Sequence, residues 1–175
     1  MSPIAEISQL GSKVLRLKAD VVVDIQSLEI QELINTLQNT LASTQGVGIA
    51  APQINESKRI IIVASRPSER YPHAPTMEPT VMINPSFQAL SETIEKDWEG
   101  CLSIPGIRAL VPRHKKIQIN YTDRTGNIVN TQLEGFIARV FQHEFDHLEG
   151  KVYLDRVENN QDIFSESEYF KMLRL

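Results

Sequence analysis

Gln142-His143-Glu144-Phe145-Asp146-His147 sets two of the chain's four histidines four positions apart around a glutamate. On a helix, residues i and i+4 share a face one turn apart. His143 and His147 are therefore placed to close on one metal ion, with Glu144 in reach of a metal-bound water. Two neutral imidazoles and a carboxylate general base are what H-E-x-x-H chemistry requires. The plainer alternative is an amphipathic helix carrying its polar residues on a wet face. Ile137, Val140, Phe141 and Leu148 supply an apolar stripe, Gly135 precedes the helix, and Gly150 is a natural stop just past it.

Outward from this helix, Lys116 to Leu133 alternates cleanly. Ile117, Ile119 and Tyr121 share one face, Val129, Thr131 and Leu133 share the face of a return strand, and Asp123-Arg124-Thr125-Gly126-Asn127 supplies the turn of a hairpin. Further upstream, Val81–Asn84 and Phe87–Leu90 read as two short strands interrupted by Asn84-Pro85. Ile60-Ile61-Ile62-Val63 reads as a buried strand. The stretch 65–79 carries Pro67, Pro72, Pro75 and Pro79 in a polar background and reads as a loop, either a lid or a passive insertion. Residues 4–23 read as extended or loop. A helix then starts at an N-cap, Ser27, and its stripe of Ile30, Leu33, Ile34, Leu37 and Leu41 is core packing. On the C-terminal side, Val152-Tyr153-Leu154 reads as a strand. Ser165-x-x-Glu168 is a capping box with Phe164 and Tyr169 as a staple, which predicts a short closing helix. Short strands, a hairpin and separate helices together predict an α+β fold.

Composition narrows the function classes. The 175 residues are 41% hydrophobic, enough for one domain with a core, and we take residues 1–175 as that domain. A net charge of −4 argues against direct nucleic-acid binding. One cysteine excludes an intramolecular disulfide and points to a reducing compartment, so a cytoplasmic protein is expected. The N-terminal stretch beginning Met1-Ser2-Pro3 has neither basic nor apolar regions of a targeting signal, and no apolar window is long enough for a membrane span.

The third metal ligand is open at this level. Downstream of His147 stand Glu149, Asp155, Glu158, Asp162, Glu166 and Glu168, none in a recognisable partner motif. Upstream stands Cys101, within Glu99-Gly100-Cys101-Leu102-Ser103. A thiolate with two imidazoles leaves one tetrahedral position open, the layout of a catalytic site, although a lone cysteine is more often a small buried apolar residue. Gly100 allows close backbone approach, and Pro105-Gly106 is expected to turn the chain just beyond. In Gly46-Val47-Gly48-Ile49-Ala50-Ala51-Pro52-Gln53, the small residues suggest close packing or backbone free to pair with an extended ligand. Gln53 offers an amide donor for an oxyanion.

Gly46–Gln53, Glu99–Ser103 and His143–His147 match G-φ-G-φ-A-A-P-Q, E-G-C-φ-S and H-E-φ-D-H (φ apolar) in order and without a mismatch. On these motifs the chain resembles the peptide deformylase family. The likeness runs from about residue 4 to about residue 157, with weaker echoes in Gly11, Leu15-Arg16, Ala19, Asn84-Pro85, His147–Gly150 and Asp155. The resemblance implies short antiparallel sheets wrapped around a central metal-binding helix, with an N-terminal helix and a short C-terminal one. It implies a metal-dependent hydrolase that removes the N-formyl group from the initiator methionine of nascent polypeptides and releases formate. Cys101, His143 and His147 would bind one divalent ion, Fe(2+) in most members, with Zn(2+), Ni(2+) or Co(2+) also accommodated. Glu144 would take a proton from the metal-bound water and pass it to the departing amine. Gln53 and the backbone N–H of Leu102 would hold the oxyanion. The peptide would add as a strand near Val47 and Gly48, with its methionine in a pocket lined by Val47, Phe136 and Val140. Arg139 is similar to the organelle-type branch. It either reaches solvent or, with Arg108, frames the pocket mouth and restricts the second substrate residue. The acidic tail is too short for the ribosome-docking helix of some members, although the substrate would still be a nascent chain. A zinc peptidase and a non-catalytic metal-stabilised binding module are the alternatives.

Overall fold

A computed structural model describes residues 3–69 and 71–174, so Met1, Ser2, Arg70 and Leu175, all within the stretches read above, lie outside the described residues. Three helices, α1 (Leu28–Ala42), α2 (Gly135–Leu148) and α3 (Glu166–Leu173), accompany two antiparallel sheets. The larger sheet has the order β1 (Gly48–Ala50), β2 (Ile60–Ser65), β3 (Met77–Ala89), β6 (Lys116–Thr122), β7 (Ile128–Glu134). The smaller has the order β4 (Ile94–Cys101), β5 (Ile104–His114), β8 (Ile163–Ser165). The α+β reading holds.

Strand β2 shows why its apolar run is continuous. Ile60 and Ile62 face α1, packing with Ile30, Ile34, Leu37 and Leu41. Ile61 and Val63 face α2, packing with Ala138, Phe141 and Leu148. A strand covered by a helix on each side needs no polar alternation. Helix α2 thus lies on the large sheet with one flank and, through Arg139, bonds to the backbone of β4 and β5 with the other. Its polar residues are not on a wet face: Gln142, His143, Glu144, Asp146 and His147 are all buried. Ser27 caps α1 by accepting from the Ile30 N–H, and Glu149 and Gly150 (φ 68°) end α2. The 117/133, 119/131 and 121/129 pairs of the hairpin form as expected.

Several local readings change. Val81–Asn84 and Phe87–Leu90 are not two strands but one, β3, whose register shifts between Ile83 and Ser86. Asn84 sits there with a positive φ of 49°, and its side chain exchanges two bonds with the Val22 backbone. Pro105-Gly106 lies inside β5, because the chain has already turned at Leu102-Ser103. Val152-Tyr153-Leu154 is no strand. Tyr153–Arg156 forms a 3-10 turn, fixed by the Asp155 carboxylate accepting the Val152 N–H at 2.8 Å. Ser165 caps α3 through the Glu168 N–H. The staple closes around Trp98, whose ring centroid lies 4.9 Å from Phe164 and 5.1 Å from Tyr169. Among the described residues no helix is long and apolar enough to cross a membrane.

Candidate active site

Three distant stretches meet beside α2. Cys101 closes β4, His143 and His147 stand one turn apart on α2, and each offers one ligand atom within 4.8 Å of the others. Among the described residues no downstream carboxylate joins this group. His143 gives Nδ1 to Glu99 Oε2 at 2.9 Å, leaving Nε2 for the site, and His147 Nε2 lies 3.4 Å from Cys101 Sγ. A histidine ligand held by a carboxylate behind it is what a metal site needs to fix tautomer and ring orientation. Tyr153 stacks on the same ring at 5.7 Å and anchors its own hydroxyl on Ile107 O. One thiolate and two imidazoles with a side open to a cavity fit a tetrahedral divalent ion with a free position.

The sulfur is prepared as an anion. Burial opposes ionisation, but His147 and His143 outweigh it and hold the Cys101 thiol well below its ordinary range. The Ser103 N–H and the Gln53 amide both point at Sγ, at 3.4 and 3.5 Å. Gln53 is held from behind, since its Oε1 accepts the Ala50 N–H at 2.9 Å and its Nε2 also reaches Ser103 Oγ at 3.2 Å. Glu144 differs from the other acids. Burial pushes its carboxyl up to about 7 despite the pull of His143 and His147, and Oε2 has no partner. Gly48 explains how β1 comes so close: a Cβ there would lie 2.8 Å from Glu144 Cδ, so only glycine lets strand and carboxylate share the space.

A cavity of about 280 Å³ opens here. It is lined by Val47, Gly48, Gln53, Cys101, Leu102, Arg108, Phe136, Arg139, Val140, His143 and Glu144, among others, so all the residues singled out from sequence other than His147 surround one space. Tyr71 of the Pro-rich loop joins them and packs on Phe136 at 4.7 Å between centroids, so that stretch contributes a wall.

The two arginines are not alike. Arg139 is buried rather than solvent-directed. Its guanidinium donates to Glu95 O (2.6 Å), Val111 O (2.7 Å) and Glu99 Oε1 (3.1 Å), so it ties α2 to β4 and β5 while the residue lines the cavity. Arg108 lies across Gly100, where a Cβ would overlap its guanidinium, and pairs with Glu166 of α3 at 2.9 Å.

Behind the ligands runs an ion network that the sequence did not disclose. Arg113 grips Glu99 with two bonds (2.9 and 3.0 Å) and Asp146 with a third (2.6 Å), and Arg156 reaches Asp146 as well. Burial works against Glu99, yet Arg113 and His143 keep its carboxyl well below the usual range. Glu99 and Asp146 stand inside the quoted motifs, but Arg113 shows in the sequence only as one of two arginines in β5. The N-terminal arm backs the assembly, with Ser8 N–H on Gln53 O (2.7 Å) and Leu10 N–H on Ser103 O (2.8 Å).

The chain matches the polypeptide deformylase family over residues 4–162. It is 53% identical to peptide deformylase 2 of a Nostoc species over 174 residues, 99% of this chain and 97% of that one. It is 42% identical to peptide deformylase 1 of Xanthomonas campestris over 156 residues, 89% and 91% of the two. The Met-Ala-Ser-bound crystal structure of a class I type b peptide deformylase from Acinetobacter baumannii superposes with a TM-score of 0.87 at 40% identity, covering 90% of this chain and 100% of the other. With a Cys-His-His cluster beside a buried glutamate and a matched chain around them, this protein belongs to the polypeptide deformylase family.

Proposed function

We propose that this chain, as one catalytic domain over residues 1–175, hydrolyses the formyl amide of N-formylmethionyl nascent polypeptides, with Cys101, His143 and His147 as the ligands of one divalent ion. The observation that carries the residue roles is the convergence of Cys101, His143, the Gln53 amide and the buried Glu144 carboxylate on one cavity, with His147 set against Cys101. Fe(2+) is the expected ion, and the mixed sulfur and nitrogen ligands also suit Zn(2+), Ni(2+) or Co(2+). When bound, a divalent cation there supplies Lewis acidity that brings water deprotonation near neutral pH.

The chain's own groups do the rest. Glu144, its carboxyl lifted toward neutrality by burial, takes a proton from the attacking water and returns it to the amine as the C–N bond breaks. The products are formate and a free N-terminal amine. Gln53 Nε2 and the Leu102 N–H donate to the oxygen that gains charge as the carbon becomes tetrahedral. Strand β1 is an edge strand of its sheet, so a peptide adds along Val47 and Gly48 and lays its methionine against Val47, Phe136 and Val140. The methionine-led tripeptide held by the A. baumannii relative is consistent with this direction. The enzyme acts in the cytoplasm.

Anaerobic Fe(II)-loaded protein should release formate from formyl-Met-Ala-Ser and leave unformylated peptide intact. Cys101→Ala should lose both metal, by elemental analysis, and activity, whereas Glu144→Gln should keep the metal and lose roughly 10²–10⁴-fold in rate. Cleavage of the unformylated peptide instead would establish a peptidase and overturn the reading.

A further inference from the structure

The family match ends at residue 162, yet the residues beyond it build part of the cavity. Strand β8 pairs with β5 so that Phe164 stands opposite Arg108, and the chain then turns into α3, whose first residue is Glu166. Glu166 and Arg108 both line the cavity, and their 2.9 Å ion pair joins a nearly buried guanidinium (7% exposed) to a carboxylate that still reaches solvent (28%). Gly100 gives the guanidinium its bed, since any side chain there would collide with it. Trp98, also a lining residue, is held by Phe164 and Tyr169 from the same segment. The wall one residue from the Cys101 ligand is thus fixed from outside by the C-terminal segment.

We propose that Glu166 is a specificity-determining positioning residue, which keeps Arg108 flat on β4 and cancels its charge where the substrate passes beyond its methionine. This rests on the deformylase reading. An uncancelled guanidinium at this wall would draw acidic residues and repel basic ones. With the pair intact, the Arg108 charge is offset and the wall admits the varied second residues of many nascent chains.

The test compares kcat/KM for formyl-Met-Glu-Ser and formyl-Met-Lys-Ser in the metal-loaded enzyme, with formyl-Met-Ala-Ser as reference. In the wild type the Glu/Lys ratio should lie within about threefold of unity. In Glu166→Gln it should shift toward the acidic peptide by about five- to tenfold, chiefly through KM, and the shift should shrink at high salt. The double variant Arg108→Gln/Glu166→Gln should bring the ratio back. A Glu166→Gln ratio equal to wild type while formyl-Met-Ala-Ser is still cleaved would overturn the proposal, as would a wild-type ratio already strongly acidic. If Glu166→Gln does not fold, Arg108→Gln carries the mirror prediction, because it leaves the Glu166 charge uncancelled and should shift the ratio toward the basic peptide, and no shift there is equally fatal. Failure of the wild type to cleave formyl-Met-Ala-Ser at all would instead strike the deformylase reading.

Discussion

Arg139 shows how much a single side chain can mislead when only its type is known. An arginine on an amphipathic helix reads as a solvated or mouth-guarding charge. In the fold it donates inward to Glu99 and to two strand carbonyls. Arg139→Leu should therefore destabilise the protein by about 2–4 kcal/mol, because it leaves buried acceptors unpaired while Glu99 keeps Arg113 and His143. Urea unfolding at neutral pH measures this, and a change under about 0.5 kcal/mol would refute it. His143, Glu144 and His147 were legible because helical geometry ties their spacing to their chemistry. Arg113 was not, since its partners lie 14 positions back and 33 positions on, and no local pattern encodes such a pairing.

Elements reveal themselves when both their faces and their ends are written locally. The β6–β7 hairpin is the plainest case. Its Asp123 carboxylate accepts from the Thr125 N–H at 2.8 Å and the Asn127 N–H at 2.9 Å, which closes the turn. The Thr125 hydroxyl and these amides draw the Asp123 pKa from 3.8 down to about 2. A carboxyl depressed in the folded state contributes stability above its ordinary pKa and loses it as pH falls through the folded value. The stability gap between wild type and Asp123→Ala should thus be constant from neutral pH to about 5 and close between about 4 and 2. Denaturation series at stepped pH test this, and a gap unchanged at about pH 2.5 would count against it. Strands β4 and β5 were missed for physical reasons. The first five residues of β4 are exposed or half-buried, so no apolar alternation appears there. Pro105 and Pro112 look like breakers, yet they flank the Ile107–Ala109 stretch that β8 covers, where a missing N–H would cost a ladder bond. Apolar Val152-Tyr153-Leu154 looked like a strand because a 3-10 turn against a core is equally apolar.

At the scale of the molecule, the site is a meeting of segments rather than a property of any one. The C-terminal segment is a case in point, because it seats the chain's single tryptophan between Phe164 and Tyr169. Removing residues 163–175 should leave the α1–sheet–α2 core folded but cost about 2–4 kcal/mol of stability through lost aromatic burial. It should move Trp98 emission to longer wavelength, and an unshifted spectrum would show that α3 is not docked in solution. The amino-terminal arm works in the opposite direction. Ser8 and Leu10 bond Gln53 and Ser103 from the rear, so this arm has acceptors that are synthesised long after it. Its Ser8 bond waits for Gln53, and its Leu10 bond forms only once the turn at Ser103 exists. An enzyme whose substrates are unfinished chains thus spends much of its own synthesis with a working centre that this arm cannot yet fasten.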